Sequence, residues 1–229
     1  RSWGQGPQHS QSLQALFAHI PGMTVIMPST AEDAYWSYLF AATHYQNPVL
    51  SLEHRLLYDL TFKPLKDAER EENPFQARVV QDGEHVTIVA ISYMVQEAQL
   101  ADAWLRERSS ITCEIIDPHL ISGIDHRLIL NSLQKTGRLL VADTSWSKYG
   151  VAAEVCRGVL ETDPLALKKP AVSLGMQSSP CPTSHILEDV YYPDMCNLVQ
   201  AVNQLTETEI EVPSKAYVKS LRKQFRGPF

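Results

Sequence analysis

The residues with the clearest potential for chemistry lie in a polar loop near the start of the chain, where positions 8–12 read Gln-His-Ser-Gln-Ser. Gly4, Gly6 and Pro7 precede or enter this stretch and favour a loop at His9. Apolar residues at helical spacing follow and predict a short amphipathic helix, so we expect His9 to lie just before a helix. An imidazole at such a position can donate or accept a proton near neutral pH. A histidine that merely caps the helix, or belongs to an ordinary loop, is the alternative.

A second group of charged residues, Glu53, His54 and Arg55, follows directly after an apolar run at 49–52. The chain before it is patterned as strand, helix and strand, which implies two parallel strands joined by a right-handed crossover. The charged group would then stand at the carboxyl end of the second strand, where open α/β sheets usually place ligands. A solvated charged loop is the alternative interpretation.

The elements that must position these groups are the helix after His9, a strand at 23–27, and a longer helix capped by Ser29 or Thr30. Acidic residues in the first turn of the longer helix favour its start. We expect its buried face to consist of the apolar residues at helical spacing, namely Ala34, Tyr35, Tyr38, Leu39 and Ala42.

The character of the chain changes at 63–75, which is charged, bounded by prolines and without an apolar period; this predicts an exposed linker. Strands and helices then alternate at 86–91, 95–108, 111–116, 125–135, 138–142, 150–160, 171–174 and 194–205. Such alternation predicts a self-contained three-layer α/β domain. The end of the chain, 206–229, begins acidic and ends basic. It predicts either a contact arm for a partner or a weakly ordered amphipathic terminus.

Composition argues against several function classes. The formal net charge of −6 and the pI of about 5.7 disfavour a nucleic-acid-binding surface. No apolar run reaches membrane-spanning length, and the four cysteines are widely spaced without a zinc-ligand pattern. We expect reduced thiols, with Cys113 facing a core. Sequence motifs of serine hydrolases, dinucleotide-binding folds, phosphate-binding loops and zinc proteases do not occur.

Short motifs along most of the chain resemble, in their order, the β subunit of the thiamine-diphosphate-dependent E1 component of 2-oxo acid dehydrogenase complexes. This subunit belongs to the pyruvate and branched-chain class of the transketolase-like family. The motifs lie at 8–12, 17–22, 27–30, 47–49, 52–54, 135–141, 150–154 and 186–189. The resemblance implies an α/β fold of three-layer parallel or mixed sheets. Its domains would be the end of a pyrimidine-binding domain at 1–62, a linker at 63–75, a transketolase C-terminal-like domain at 76–205 and a charged tail at 206–229.

The resemblance also implies an activity, the oxidative decarboxylation of a 2-oxo acid with acyl transfer to lipoyl groups. The implied cofactor is thiamine diphosphate with Mg²⁺, shared with an α-type partner that holds the diphosphate and the metal, so no metal ligand is expected on this chain. His9 falls on the family's histidine in the Gln-His-Ser-Gln motif, which lines the cofactor pocket and takes part in proton transfer. Gln8 and Ser10 are its expected pocket neighbours.

Two departures from the family pattern limit this expectation. The family's catalytic glutamate lies in the first half of the pyrimidine-binding domain, which is absent from this sequence, so we expect no activity from this chain alone. Tyr45 stands where some members have a potassium-binding aspartate, and His119 replaces an arginine in a turn of the C-terminal domain.

The partners implied are an E1 α-type subunit, a second β chain and the E2 lipoyl acyltransferase core, with no nucleic acid and no membrane. The implied compartment is the bacterial cytoplasm or the mitochondrial matrix. A non-catalytic assembly or scaffold paralogue that has lost the cofactor half is an alternative. A relative of transketolase or deoxyxylulose-phosphate synthase is another, although the His-Ser-Gln-Ser and Leu-Glu-His motifs fit that branch less well.

Overall fold

A computed structural model describes residues 6–62 and 73–221. The N-terminal unit contains helix α1 (Gln14–Ala18), strand β1 (Thr24–Ile26), helix α2 (Ala31–Thr43), strand β2 (Val49–Ser51) and a 3₁₀ helix (Arg55–Leu57). Strands β1 and β2 pair in parallel. This confirms the predicted order of strand, helix and parallel strand.

The C-terminal unit is built on a five-stranded sheet of order β3-β5-β4-β6-β7, in which β3 is antiparallel to β5 and the other pairs are parallel. Its elements are β3 (Arg78–Gln81), β4 (Val86–Ala90), α3 (Met94–Arg108), β5 (Cys113–Asp117), α4 (His126–Thr136), β6 (Leu139–Trp146), α5 (Val151–Thr162), β7 (Val172–Met176), α6 (His185–Tyr191), α7 (Met195–Thr206) and α8 (Lys215–Leu221). Helices cover both faces of the sheet, so the predicted three-layer α/β architecture is confirmed.

The central strands are buried on both faces, as expected for parallel strands covered by helices. Every residue of β4 and β5 is buried. On one face Ile88, Ile115 and Cys113 pack with α3 and α7, and on the other Val89 and Ile116 pack with α4 and α5. Cys113 therefore faces a core, as predicted. Within residues 6–62 and 73–221, no helix has the length and apolar character that crossing a membrane requires.

The two units are joined by backbone pairing between β1 and the loop after β5, a junction that we call the seam. The N–H of Met27 donates to the carbonyl of His119 at 2.9 Å, and the N–H of Ile121 donates to the carbonyl of Val25 at 2.7 Å. Val25 and Met27 also pack in the same hydrophobic cluster as the sheet of the C-terminal unit. The N-terminal unit thus completes one core layer of the other unit.

A buried polar cluster fastens helix α2 across this seam. Arg78 of β3 donates to both carboxylate oxygens of Asp33 at 2.5 and 2.8 Å, and to Asp117 at 3.2 Å. Ser29 donates to Asp117 at 2.6 Å. Asp33 also completes the capping box that starts α2 at Thr30. The cluster therefore fixes both the start of α2 and its distance from β3 and β5.

Arg78 and burial together determine the charges of the residues in this cluster. Burial alone would raise the pKa of Asp33, but hydrogen bonds from Arg78 and its positive charge outweigh it and hold that pKa below its ordinary value. Burial raises the pKa of Asp117 and lowers that of His119. His119 is thus neutral near pH 7 and does not replace the expected arginine as a cation. Asp33, Asp117 and His119 lie close enough to hold a metal ion, but the guanidinium of Arg78 already occupies both carboxylates.

Two local predictions in the N-terminal unit are wrong. Helix α1 begins at Gln14, so His9 lies in a turn well ahead of it and does not cap it. Helix α2 turns its aromatic residues outward, since Tyr35 and Tyr38 are 61% and 46% exposed, while Asp33 and Ser37 are buried. The inner face of α2 meets the polar cluster and the His119 imidazole, to which the Ser37 hydroxyl is hydrogen-bonded at 2.9 Å, so polar side chains are favoured there.

Two predictions of exposed segments also need correction. Most of the predicted linker, 63–72, lies outside the described residues, but Phe75 at its end is only 2% exposed and contacts the rings of Phe40 and Tyr45. The predicted tail packs as far as it is described, because Val218 of α8 is buried and Trp104 donates to the carbonyl of Glu211 at 2.7 Å. The interpretation as a weakly ordered terminus is wrong for 207–221. Residues 222–229 lie outside the described residues.

Candidate functional site

A cavity of about 170 Å³ opens beside the seam, near the carboxyl ends of strands β1, β2 and β6. This is the edge at which open α/β folds bind ligands. Residues from the N-terminal loop, from the segment after β2 and from the C-terminal unit form its walls: His9, Ser10, Gln11, Ser12, Met27, Leu52, Glu53, His54, Arg55, Leu56, Thr144 and Tyr192. The pocket therefore belongs to both units.

The structure brings together the two groups of residues singled out from the sequence. His9 and Ser10 line the same pocket as Glu53, His54 and Arg55. His9 is exposed in a turn, whereas Ser10 is buried. Gln8 is exposed and is not among the pocket-lining residues, so the expectation that it is a pocket neighbour of His9 is not met.

The loop that carries His9 is held by the C-terminal unit. The phenol of Tyr192 donates to the carbonyl of Ser10 at 3.2 Å, and the hydroxyl of Ser145 donates to the carbonyl of Ser12 at 2.7 Å. Burial raises the pKa of Tyr192, so its phenol stays protonated and available as a donor. The loop backbone on both sides of Gln11 is therefore fixed, and the position of the exposed His9 side chain follows from it.

His54 is held by contacts that include a ring stack and a hydrogen bond from the backbone. Its ring stacks on that of Tyr93 with centroids 4.8 Å apart, and its Nδ1 accepts a hydrogen bond from the N–H of Leu56 at 3.3 Å. An Nδ1 that accepts a backbone N–H leaves the proton of a neutral imidazole on Nε2. The second pocket histidine thus has a defined ring plane and tautomer.

Behind the pocket wall lies a chain of buried hydrogen bonds. The hydroxyl of Ser12 donates to Gln14 Oε1 at 2.6 Å, and Gln14 Nε2 donates to Asp143 Oδ1 at 2.6 Å. The Ser12 hydroxyl also lies 3.3 Å from that of Thr144, another pocket residue. Gln14 and Asp143 are 0% and 1% exposed. A polar relay thus runs from the pocket into the core of the C-terminal unit.

Two buried polar atoms have no hydrogen-bond partner within the described part of the chain: Ser10 Oγ, which is in the pocket wall, and Asp143 Oδ2, which lies behind it. Buried polar atoms are nearly always satisfied in native proteins, so such atoms at a pocket are typical of a site that binds something. Burial raises the pKa of Asp143 to about 7, although hydrogen bonds from the backbone and Gln14 oppose it. The Asp143 carboxyl therefore exchanges its proton near neutral pH.

This pKa predicts a specific dependence of stability on pH. Between pH 4 and 7 the folded protein keeps a proton on Asp143 that the unfolded chain, with a pKa near 3.8, has released. The free energy of unfolding contributed by this group therefore falls as pH rises, by about 4 kcal/mol in all at about 1.4 kcal/mol for each pH unit. The variant Asp143→Asn keeps the acceptor for Gln14 but cannot ionise, so its stability relative to wild type should rise from pH 4 to about pH 7 and level off above it. Urea denaturation across that range measures it, and parallel curves for the two proteins would contradict it.

Sequence patterns did not point to Gln14, Asp143, Thr144 or Tyr192 as site residues. Asp143 carried a usable signal, because it follows four apolar residues within a predicted buried strand. A carboxyl at that point must lie in the core or at the carboxyl edge of the sheet. Tyr192 follows a helix that no sequence pattern predicted, so nothing in its neighbourhood placed it beside residue 10.

Comparisons with known proteins agree with this architecture. Residues 76–198 match the family described as transketolase, C-terminal domain, and residues 4–61 match transketolase, pyrimidine binding domain. A solved structure described as a split gene transketolase, inactive beta4 tetramer, is similar with a TM-score of 0.68 at 22% identity, covering 85% of this chain and 60% of that chain. At that identity the likeness concerns the fold.

Curated relatives are named as subunits of one enzyme component. The chain is 31% identical over 209 residues to the mitochondrial pyruvate dehydrogenase E1 component subunit beta of Saccharomyces cerevisiae, covering 90% of this chain and 57% of the relative. It is 35% identical over 207 residues to the mitochondrial subunit beta-2 of Oryza sativa subsp. japonica, covering 88% and 54%, and 34% identical over 199 residues to subunit beta of Rickettsia conorii, covering 86% and 60%. The chain thus spans little more than half the length of these relatives. Because the C-terminal match extends over more than half of its residues, the chain belongs to the transketolase C-terminal domain family, preceded by residues that match the transketolase pyrimidine binding domain.

Proposed function

We propose that this chain is a β-subunit-like part of a thiamine-diphosphate-dependent 2-oxo acid dehydrogenase. The reaction is the oxidative decarboxylation of a 2-oxo acid with transfer of the acyl group to lipoyl groups. The observation that carries the proposal is the position of His9: it lines a pocket at the carboxyl edge of the sheet, in a chain whose relatives are named pyruvate dehydrogenase E1 subunit beta.

His9 is the proposed general acid and base of the pocket. Its imidazole is exposed at the pocket, while the backbone on its C-terminal side is held by Tyr192 and Ser145. An imidazole on a fixed backbone can be held within hydrogen-bonding reach of a reacting oxygen or sulfur, which general acid and base catalysis requires. We assign to His9 the proton transfers that accompany decarboxylation and acyl transfer.

The pocket fits one part of a thiamine diphosphate site. Its polar wall contains the buried Ser10 Oγ without a described partner, which a bound ligand could satisfy. When bound, thiamine diphosphate supplies the stabilisation of a carbanion that decarboxylation requires. Among the described pocket-lining residues Glu53 is the only carboxylate, so a Mg²⁺ ion with diphosphate does not fit this wall by itself. We assign the diphosphate and the metal to an α-type partner, and activation of the cofactor to residues outside this sequence.

The outward face of α2 is the proposed contact surface of the assembly. Tyr35, Tyr38 and Leu39 are exposed there, and Leu16 and Ile20 are exposed at α1. Parallel α/β units rarely leave such apolar faces uncovered. We infer that an α-type subunit, a second β chain or the remainder of the pyrimidine-binding domain covers it. The E2 lipoyl acyltransferase core is the proposed acceptor of the acyl group, in the bacterial cytoplasm or mitochondrial matrix.

A non-catalytic assembly paralogue is the second candidate. Tyr45 stands at the position of the family's potassium-binding aspartate. Here it is part of the packing, because its hydroxyl lies 2.9 Å from that of Thr24 and its ring contacts Phe75. His119, at the position of a family arginine, is buried and neutral. In both departures an uncharged, packed side chain replaces the charged side chain of the family, which favours a role in assembly.

Purification of the native assembly that contains this chain decides between the two candidates. Thiamine diphosphate released by denaturation is measured by its thiochrome fluorescence, and activity by reduction of an artificial electron acceptor with a panel of 2-oxo acids. The dehydrogenase proposal expects about one cofactor per site and turnover with at least one acid. A stable oligomer without cofactor and without turnover would replace it by the assembly candidate.

A further inference from the structure

We propose that Asp143 is a positioning residue of the pocket: through the buried amide of Gln14 it fixes the hydroxyl of Ser12 in the wall that His9 also lines. This inference rests on the proposed function, because it assigns a role within the same pocket. Asp143 does not line the pocket, and it reaches the pocket through two hydrogen bonds of 2.6 Å each.

The amide of Gln14 transmits orientation because its two ends differ. A carboxyl oxygen of Asp143 accepts a hydrogen bond, so it selects the NH₂ end of the amide and turns the carbonyl end toward Ser12. The Ser12 hydroxyl then donates its single hydrogen to that carbonyl. Without Asp143 the amide could rotate by half a turn, and the direction of the Ser12 hydroxyl would be lost.

The polarity of the pocket wall follows from this direction. With its hydrogen directed to Gln14, the Ser12 oxygen has only acceptor lone pairs left for the pocket and for the hydroxyl of Thr144 at 3.3 Å. The carbonyl of Ser12 is held in turn by Ser145 of the same strand as Asp143. The wall therefore favours a ligand group that donates a hydrogen bond from N–H or O–H.

Because Gln14 and Asp143 are buried, the orientation of the Gln14 amide depends on Asp143. Gln14 and Asp143 lie in the core, where a misdirected amide would leave its own polar atoms without partners. Water cannot substitute freely for a lost partner at such depth. The alignment of Ser12 thus depends on residue 143, which stands 131 positions further along the chain in strand β6.

The test compares four variants in the complete native assembly: Asp143→Ala, Asp143→Asn, Ser12→Ala and the double variant of both alanines. The Kd of thiamine diphosphate is measured by tryptophan fluorescence. The kcat and KM are measured for the 2-oxo acid substrate. Each alanine variant is expected to weaken binding or kcat/KM by about 10- to 100-fold, as a small displacement at a site does. The loss of binding or kcat/KM in the double variant should be at most about threefold larger than in the more impaired single variant, because the effects of residues that act as one unit are not additive.

Asp143→Asn and one further variant, Asp102→Ala, separate positioning from general loss of structure. Asp143→Asn keeps the acceptor oxygen and should remain within about threefold of wild type in both binding and turnover. Asp102→Ala removes another buried carboxylate, one that accepts from the N–H of Cys113 at 2.8 Å and does not line the pocket; it should lower stability while leaving the Kd unchanged. If Asp143→Ala does not fold, Gln14→Met takes its place, because it removes both links of the relay at similar volume.

The outcomes distinguish this inference from the function on which it rests. A wild-type assembly that binds no thiamine diphosphate overturns the proposed function. A wild-type assembly that binds the cofactor, with Asp143→Ala and Ser12→Ala equal to it in both Kd and kcat/KM, overturns the positioning role alone. Multiplicative losses in the double variant, or an asparagine variant as impaired as the alanine variant, also overturn it.

Discussion

Replacing His9 by alanine in the complete assembly is expected to lower acyl transfer to lipoyl groups by about 10²- to 10⁴-fold, the usual contribution of a positioned general acid or base. His9 is exposed and lies in a turn, so the free energy of unfolding should change by less than about 0.5 kcal/mol. The measurement combines a lipoyl acylation assay with urea denaturation of the same preparations. His9→Gln should be equally impaired, because glutamine can donate a hydrogen bond but cannot take up a proton.

His19→Ala provides the matched control for this experiment. His19 is also an exposed histidine of the N-terminal unit, at the end of α1, but it does not line the pocket. Its replacement should leave both activity and stability unchanged. Full acyl transfer by His9→Ala would remove His9 from the site, while an equal loss in both variants would indicate damage to the loop or to the preparation.

Replacing Arg78 by methionine should be among the most destabilising single changes in the described structure. It leaves Asp33 and Asp117 buried, 6% and 0% exposed, without the cation that both carboxylates share. Breaking a buried ion pair from one side typically costs about 3–5 kcal/mol, because an uncompensated charge stays behind. Urea denaturation at pH 7 measures this loss.

The pH dependence of this loss has a definite sign. In the wild type, Arg78 holds the pKa of Asp33 below its ordinary value, so the stability it contributes is present above about pH 4 and is lost on acidification. The deficit of Arg78→Met should therefore shrink as the pH falls below about 4, where Asp33 takes up a proton. Arg157→Met is the control: Arg157 pairs with Glu154 and Glu161 on the exposed surface of α5, so its loss should leave the free energy of unfolding nearly unchanged. Equal effects of the two variants would contradict the assigned role of the cluster.

The parts of the fold that follow from local pattern were predicted from the sequence. Alternating apolar strands and helices after residue 76 predicted the three layers, because each buried parallel strand is an almost continuous apolar run. The predicted parallel pairing of strands β1 and β2 also placed Glu53, His54 and Arg55 at the carboxyl edge of the sheet, whereas their position in the same pocket as His9 was not predicted. The catalytic role of His9 stays a prediction that the variant above tests.

The parts that depend on contacts between distant residues could not be predicted. Strand β3 has only four residues and one exposed edge, so its pattern is weak. The face of α2 was assigned by apolar periodicity, yet the polar cluster around Arg78 takes its inner side. Thr144 and Tyr192 join the pocket only through tertiary folding, and Asp143 reaches it only through Gln14. Nothing near these residues in the sequence identifies residues 10–14 as their partners.

The seam affects the fraction of protein molecules in which the pocket is assembled. The pocket's walls come from both sides of the backbone pairing between β1 and the loop after β5, so separation of the two units along this line would dismantle the pocket. Such a sub-global opening requires less free energy than complete unfolding. The fraction of competent molecules is then set by the closing equilibrium of the seam, and the apparent affinity for any pocket ligand is reduced by that same fraction.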